Sequence, residues 1–141
     1  MSMRCSVTQG FNNLIRTVLT SLLLLALLAG CSAFDSSAPS ISRQQLLQQI
    51  NARAEMLILD VRTTGEFNDG HIPGAYHIDH LEIGRRIKEI ESFRDKPVIV
   101  YCYSGVRAGI VESYLIEHGF TQVKHLKGDW SEWKAKGLPS E

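Results

Sequence analysis

The segment of this sequence that is best equipped for chemistry runs from Cys102 to Arg107. It follows an apolar run at 98–101, which is typical of a strand buried on both faces, and it precedes a stretch with helical spacing. A loop that enters a helix directs several unpaired backbone N–H groups at one place, which favours an anion or a thiolate there. Arg107 adds a planar cation that suits an oxyanion. These residue types in this order predict a nucleophilic cysteine beside an anion site.

Gly105 supports this interpretation, because a residue without Cβ lets the backbone of the loop turn tightly. Cys102 by itself also fits a buried structural cysteine, and its combination with Gly105 and Arg107 favours the reactive one. Tyr103 and Val106 add no positive charge, so anion binding is expected to depend on backbone N–H groups and on Arg107. We expect five loop residues to bind the substrate: Tyr103, Ser104, Gly105, Val106 and Arg107.

Around this loop, residues 41–139 alternate between strand-like and helical segments. The predicted strands are 56–59, 98–101 and 123–125, and the predicted helices are 43–51, 82–93, 107–118 and 129–136. Such alternation predicts a single small α/β domain, in which helices cover both faces of a parallel sheet. Ligands of such sheets bind beyond the carboxyl ends of the strands, which is where Cys102 stands.

The first 30 residues have the pattern of an export signal. Residues 1–16 contain Arg4 and Arg16 and no acidic residue, and residues 18–29 are almost wholly apolar. A spanning helix needs about 20 apolar residues, so this shorter run is typical of a cleaved signal peptide. A buried helix of the fold is the alternative, and the Ser/Pro-rich segment that follows disfavours it.

The sequence Leu-Ala-Gly-Cys at 28–31 resembles the lipobox of bacterial lipoproteins. The resemblance implies that residues 1–30 are removed and that Cys31 carries a diacylglycerol, with a third acyl chain on its amine. Several acyl chains give stable membrane anchoring. Ser32, where Asp would retain such a protein in the inner membrane, implies the outer membrane of the cell envelope, facing the periplasm.

Processing would leave a domain with one thiol and little net charge. Of the 15 basic and 15 acidic residues, the signal contains two basic ones and no acidic one. The remaining sequence shows no basic cluster, so we expect no nucleic-acid partner. Cys5 leaves with the signal and Cys31 carries lipid, so Cys102 is the one thiol left, which favours a use for its reactivity. We expect residues 31–40 to be a tether and the domain to be a monomer.

Three blocks of the sequence, which together span nearly all of residues 41–139, resemble the rhodaneses. The first signature of that family is matched by residues 59–62, 66–67 and 70–75, its C-x4-R active-site loop by 102–107, and its C-terminal end by 126–133 and 137–139. The resemblance implies the rhodanese fold and a thiosulfate sulfurtransferase that needs no metal and no organic cofactor. Its small-molecule partners would be a sulfur donor and an acceptor, either a thiol or cyanide.

The resemblance also implies a double-displacement reaction. The Cys102 thiolate would attack the outer sulfur of thiosulfate, release sulfite and become a persulfide, from which the acceptor then removes the sulfur. The loop N–H groups would hold the persulfide, and Arg107 would hold the sulfonate end of the donor. Asp129 departs from the family pattern, which often has a second glycine there; a carboxylate near the pocket would disfavour thiosulfate.

Other polar and aromatic residues are expected to support the site or the core. Three charged residues are expected to brace the loop through an ion-pair network: Asp60, Arg62 and Glu66. His71 is expected to bond to backbone. His77 and His80 lie three residues apart without a third ligand, so no metal site is predicted. Two tryptophans at helical spacing are expected to anchor the core: Trp130 and Trp133.

Two alternative functions remain open from the sequence. Cys-dependent phosphatases and arsenate reductases also place Cys and Arg around an anion, but their loop is C-x5-R, one residue longer than the loop between Cys102 and Arg107. A non-catalytic rhodanese-like module that binds or senses a partner is the second alternative. Such modules usually lack the cysteine, which this sequence has.

Overall fold

The computed structural model describes residues 38–141. The predicted signal peptide and Cys31 lie outside the described residues, as does most of the tether. The strands are β1 (Ser40–Ile41), β2 (Leu57–Asp60), β3 (Tyr76–His77), β4 (Val98–Tyr101) and β5 (Val123–Leu126). The helices are α1 (Arg43–Asn51), α2 (Thr64–Asn68), α3 (Ile83–Arg86), a 3-10 helix (Ile87–Phe93), α4 (Val106–Glu117) and α5 (Asp129–Ala135).

The five strands form one sheet in the order β1-β5-β4-β2-β3, and every neighbouring pair is parallel. All four residues of β2 and all four of β4 are buried, as expected for central strands covered on both faces. The predicted α/β domain with a parallel sheet is therefore confirmed. Its carboxyl edge brings the end of β4 next to the ends of β2 and β5.

Alternating side chains of the strands feed two separate hydrophobic cores. Val98 and Val100 pack into the core beneath α3, the 3-10 helix and α4. Ile99 and Tyr101 point to the other face and pack with residues of α1 and α5. Trp133 is fully buried there and its Nε1–H donates to the Pro139 carbonyl at 2.8 Å, so its predicted role as a core anchor is confirmed.

The helices α1 and α2 begin at capping boxes. Ser42 Oγ accepts from the Gln45 N–H at the start of α1, and the Gln45 side chain accepts from the Ser42 N–H. Thr63 and Glu66 exchange the same two bonds at the start of α2. Each box satisfies two backbone donors that the helix cannot bond internally, which fixes where the helix begins.

Some element boundaries differ from the sequence predictions. The helix predicted at 82–93 is divided into α3 and a 3-10 helix, in which Ile87 and Ile90 lie three residues apart and both turn towards the core. The predicted tether overlaps the fold at its end, because Ala38 is buried in the core and β1 begins at Ser40. Within residues 38–141, no helix is long and apolar enough to cross a membrane.

Candidate active site

Cys102 is the first residue after β4 and is only 1% exposed. The chain turns at Gly105, which is the N-cap of α4, and the Gly105 N–H donates to the Cys102 Sγ at 3.1 Å. The first N–H groups of a helix have no partner inside it, so the loop ends at a site that favours negative charge. The predicted arrangement of cysteine, loop and helix N-terminus is present.

Gly105 meets two separate requirements for glycine. Its φ of +102° lies in the left-handed region that side chains with a Cβ rarely adopt. A Cβ at this position would also lie 3.2 Å from the Asp129 Oδ2 and 3.6 Å from a carbon of the His125 ring. The loop therefore packs directly against these two side chains.

The start of α5 holds the cysteine from the other side. The Cys102 N–H donates to the Asp129 Oδ1 at 2.8 Å, and the Trp130 N–H donates to the Cys102 carbonyl at 3.0 Å. The Ser131 N–H donates to the Tyr103 carbonyl at 3.1 Å. These three bonds fix the backbone on both sides of the thiol, so that its position is set by α5 as well as by β4.

Arg107 lies in the first turn of α4 and binds Glu66 of α2 through two hydrogen bonds, from Nη1 to Oε2 at 2.6 Å and from Nη2 to Oε1 at 2.8 Å. The hydrogen bond from Arg107, with those from Thr63, lowers the pKa of Glu66 to about 2. The hydrogen bond to Glu66 likewise raises the pKa of Arg107, and the neighbouring Cys102 adds to that rise. The guanidinium is thus held charged beside the cysteine and keeps three N–H donors that Glu66 does not use.

Asp60 and Arg62 form a second, fully buried pair. The Arg62 Nη2 lies 2.6 Å from the Asp60 Oδ2 and also donates to the Gly70 carbonyl at 2.8 Å. Its guanidinium lies 4.5 Å from the centre of the Trp130 ring, within the range of a cation–π contact. The predicted network of Asp60, Arg62 and Glu66 is divided into two pairs in the structure: Asp60 pairs with Arg62, and Glu66 pairs with Arg107 at the end of the loop.

A third group of charged side chains packs against the loop. The His125 Nδ1 lies 2.6 Å from the Glu112 Oε1, and its Nε2 lies 3.2 Å from the Asp129 Oδ2. Both carboxylates are buried, Glu112 in α4 and Asp129 at the start of α5. Hydrogen bonds to Asp129 first and then to Glu112 raise the pKa of His125 to about 10. The imidazole is therefore a cation at neutral pH.

The sequence model of the family described as Rhodanese-like domain matches residues 42–136. The chain belongs to this rhodanese-like family. It is 35% identical over 98 residues to the thiosulfate sulfurtransferase GlpE of Shewanella oneidensis, which covers 70% of this chain and 94% of that relative. A sulfurtransferase of Allochromatium vinosum is 33% identical over 99 residues, with 70% of this chain and 91% of that relative covered.

A solved structure supports the assignment to this family. The crystal structure of a rhodanese-related protein from Thermoplasma volcanium matches with a TM-score of 0.64 at 28% identity and covers 73% of this chain and 97% of that one. The predicted resemblance is thus confirmed, and the similarities support sulfurtransferase chemistry in general.

Several residues of this rhodanese-like domain make contacts near the site that the sequence did not predict. The sequence predicts Tyr101 only as a strand residue, but its hydroxyl oxygen accepts a hydrogen bond from the Ile72 N–H at 3.2 Å, and burial raises its pKa. Glu112 and His125 gave no sequence signal, because they lie on different elements. Asp129 did give a sequence signal, because the family often has glycine at this position. In the structure Asp129 adopts the left-handed conformation that glycine favours, with φ +49°.

Two other histidines near the site bond to backbone carbonyls. The His71 Nδ1 lies 3.0 Å from the Phe67 carbonyl, as predicted, and the His77 Nε2 lies 2.7 Å from the Arg62 carbonyl. Between residues 38 and 141, no group of His, Cys, Asp and Glu has the arrangement of a metal site.

Proposed function

We propose that this rhodanese-like domain moves a sulfane sulfur from thiosulfate or a similar donor to a thiophilic acceptor, with Cys102 as the carrier. The observation that carries the proposal is the contact of the Gly105 N–H with the Cys102 Sγ at 3.1 Å, inside a C-x4-R loop that ends at the N-terminus of α4. A sulfur in that place accepts backbone hydrogen bonds, which stabilise the negative charge of a thiolate.

In the first half-reaction, the Cys102 thiolate attacks the outer sulfur of thiosulfate. A new S–S bond forms to Cys102 while the S–S bond of thiosulfate breaks, and sulfite leaves with the electron pair. Arg107 binds the sulfonate oxygens with the N–H donors that Glu66 leaves free. The terminal sulfur of the persulfide carries the negative charge, which the loop N–H groups stabilise.

In the second half-reaction, the acceptor attacks the terminal sulfur of the persulfide. Cyanide takes the sulfur as thiocyanate, and a thiolate takes it as a new persulfide; in both cases the electron pair of the broken S–S bond returns to the Cys102 sulfur. This is covalent catalysis, in which one transfer is divided into two steps. Neither step requires a metal or an organic cofactor.

Loop length and burial favour sulfur over phosphoryl chemistry. The loop has one residue fewer than C-x5-R, and Cys102 is 1% exposed. A persulfide adds one atom above the thiol, whereas a phosphoryl group adds phosphorus and three further oxygens. A small misplacement of reacting atoms can slow a reaction on the order of 100-fold. We expect no hydrolysis of aryl phosphates that depends on Cys102.

Steady-state kinetics test the proposal. Initial rates at several thiosulfate concentrations, each with varied cyanide, are expected to follow a ping-pong pattern with parallel double-reciprocal lines. Aryl phosphate turnover is measured on the same preparation. Intersecting lines would indicate direct transfer within a ternary complex, and phosphatase turnover that disappears in Cys102→Ser would overturn the sulfur assignment.

We infer further that the domain is anchored to the cell envelope through lipid on Cys31, and that it faces the periplasm from the outer membrane. The support is the lipobox-like sequence at 28–31 behind a short apolar run, together with Ser32. Membrane fractionation of the full chain is the test. Wild type is expected in the outer-membrane fraction and Cys31→Ala outside it, whereas a wild-type protein that is fully soluble contradicts the inference.

A further inference from the structure

In the part of the chain that the structure describes, three groups of charged side chains surround the Cys102 loop, and two of them are matched pairs. Arg107 of α4 is matched by Glu66 of α2, and the buried Arg62 is matched by Asp60 at the end of β2. The third group, which we call the relay, consists of Glu112 on α4, His125 on β5 and Asp129 on α5. It holds two carboxylates and one imidazolium, so that one negative charge is unmatched.

The relay is in direct contact with the loop. The Asp129 Oδ1 accepts from the Cys102 N–H at 2.8 Å, and its Oδ2 lies 3.2 Å from where a Cβ of Gly105 would be. Glu112 is 4% exposed and Asp129 is 3% exposed, so water screens their charges poorly. The unmatched charge therefore acts on whatever binds above the thiol.

The backbone of Asp129 is in a strained conformation. Its φ of +49° is left-handed, a conformation that glycine adopts freely and other residues rarely do. Strained positions of this kind cluster at functional sites, where a particular side chain is required. A carboxylate here does two things that glycine cannot: it accepts from the Cys102 N–H and it binds His125.

We propose that the relay Glu112–His125–Asp129 determines donor selectivity, by placing one unmatched negative charge beneath the loop so that doubly charged donors are disfavoured relative to singly charged persulfides. This inference rests on the proposed function and names the donor class of the same site. Thiosulfate carries two negative charges near the reacting sulfur, whereas the persulfide of a small uncharged thiol carries one. Repulsion from a buried charge falls more heavily on the dianion.

Variants that change the charge of the relay test the proposed selectivity, and their first readout does not depend on sulfur transfer. Glu112→Gln leaves the relay neutral and does not touch the Asp129–Cys102 bond, while Asp129→Asn also leaves it neutral and keeps an oxygen for the Cys102 N–H. His125→Gln raises the unmatched charge to two. Glu117→Gln, on an exposed residue of the same helix, is the matched control.

The first measurement is alkylation of Cys102 at pH 6.5 by iodoacetate and by iodoacetamide. The reagents differ mainly by one negative charge, so the ratio of their rates reports the local charge and cancels changes in thiolate content. We expect the ratio to rise on the order of 5-fold in Glu112→Gln and in Asp129→Asn, and to fall by a similar factor in His125→Gln. Glu117→Gln is expected to match wild type.

The second measurement compares kcat/KM for thiosulfate with kcat/KM for the persulfide of 2-mercaptoethanol. Their ratio is expected to rise in Glu112→Gln and to fall in His125→Gln. Relay variants that keep their fold by circular dichroism but leave the alkylation ratio at the wild-type value, or shift it in one direction regardless of charge, overturn the inference. Failure of the proposed function is distinguishable, since it would abolish sulfur transfer in wild type and leave the alkylation ratios intact.

Discussion

Glu66 and Arg107 are 41 residues apart in the sequence, yet they form a two-bond ion pair at 2.6 and 2.8 Å. Glu66 also completes the capping box of α2 by accepting from the Thr63 N–H. One carboxylate therefore fixes the start of α2 and the cation beside Cys102 at the same time. The first family signature and the active-site loop are joined through this contact.

Glu66→Gln is expected to separate these two roles. Glutamine preserves the capping box, which accepts Glu or Gln, but removes the charge that competes for Arg107. We expect a lower KM for thiosulfate and a loss of about 1 kcal/mol in the free energy of unfolding. Steady-state kinetics and thermal melts give both values. Glu91→Gln, which breaks an exposed pair with Arg94, serves as control and should leave KM unchanged; an unchanged KM in Glu66→Gln as well would contradict the competition.

Arg107→Lys is expected to affect the two half-reactions unequally. A guanidinium can bind two sulfonate oxygens at once, whereas an ammonium offers a point charge. Transfer from thiosulfate should therefore slow on the order of 10-fold or more, while attack of cyanide on preformed persulfide should change less. Rapid-mixing measurements of each half-reaction give the comparison. Equal losses in both would mean that Arg107 only shapes the loop.

Gly105→Ala is expected to damage both stability and sulfur transfer. The φ of +102° is strained for alanine, and its methyl group would lie 3.2 Å from the Asp129 Oδ2, so the loop or the Asp129 side chain must shift. We expect a loss of at least about 1–2 kcal/mol in stability. Gly109→Ala is the matched control, because that helical position has open space around it and alanine there should stabilise α4 by up to about 1 kcal/mol. Equal behaviour of the two variants in thermal melts would contradict this account of the loop.

The pKa of His125 gives a pH dependence of stability with a definite sign. Asp129 and Glu112 raise this pKa from its ordinary value of 6.5 to about 10. As the pH rises, the unfolded chain therefore releases the His125 proton at a lower pH than the folded state does. The contribution of His125 is complete below about pH 6.5 and is lost as pH rises towards about 10. The melting temperature of wild type should therefore fall further between pH 7 and pH 10 than that of His125→Gln. Parallel curves would show that His125 is not charged in the fold.

The three longer strands, β2, β4 and β5, and the reactive loop were predictable because their signals are local. The run at 98–101 is apolar at every position, and the structure buries all four residues. The order of Cys102, Gly105 and Arg107 indicated an anion site without knowledge of any distant residue. By contrast, β1 and β3 contain two residues each, which is too short for a periodic pattern.

The relay and the partner of Arg107 were beyond prediction from sequence because they depend on how distant segments meet. Glu112 and His125 are 13 residues apart, and only the crossover from α4 to β5 brings them to 2.6 Å. Proximity in the sequence predicts that Glu66 pairs within the group of Asp60 and Arg62. In the structure its carboxylate binds Arg107 in the first turn of α4 instead.

The central claim is that Cys102 carries the sulfur, and intact mass spectrometry of the purified domain tests it most directly. Thiosulfate is expected to add the mass of one sulfur atom to wild type, and cyanide is expected to remove it with formation of thiocyanate. Cys102→Ser is expected to show neither change. A wild-type mass that thiosulfate leaves unaltered, or a sulfur adduct that persists in Cys102→Ser, would contradict the account.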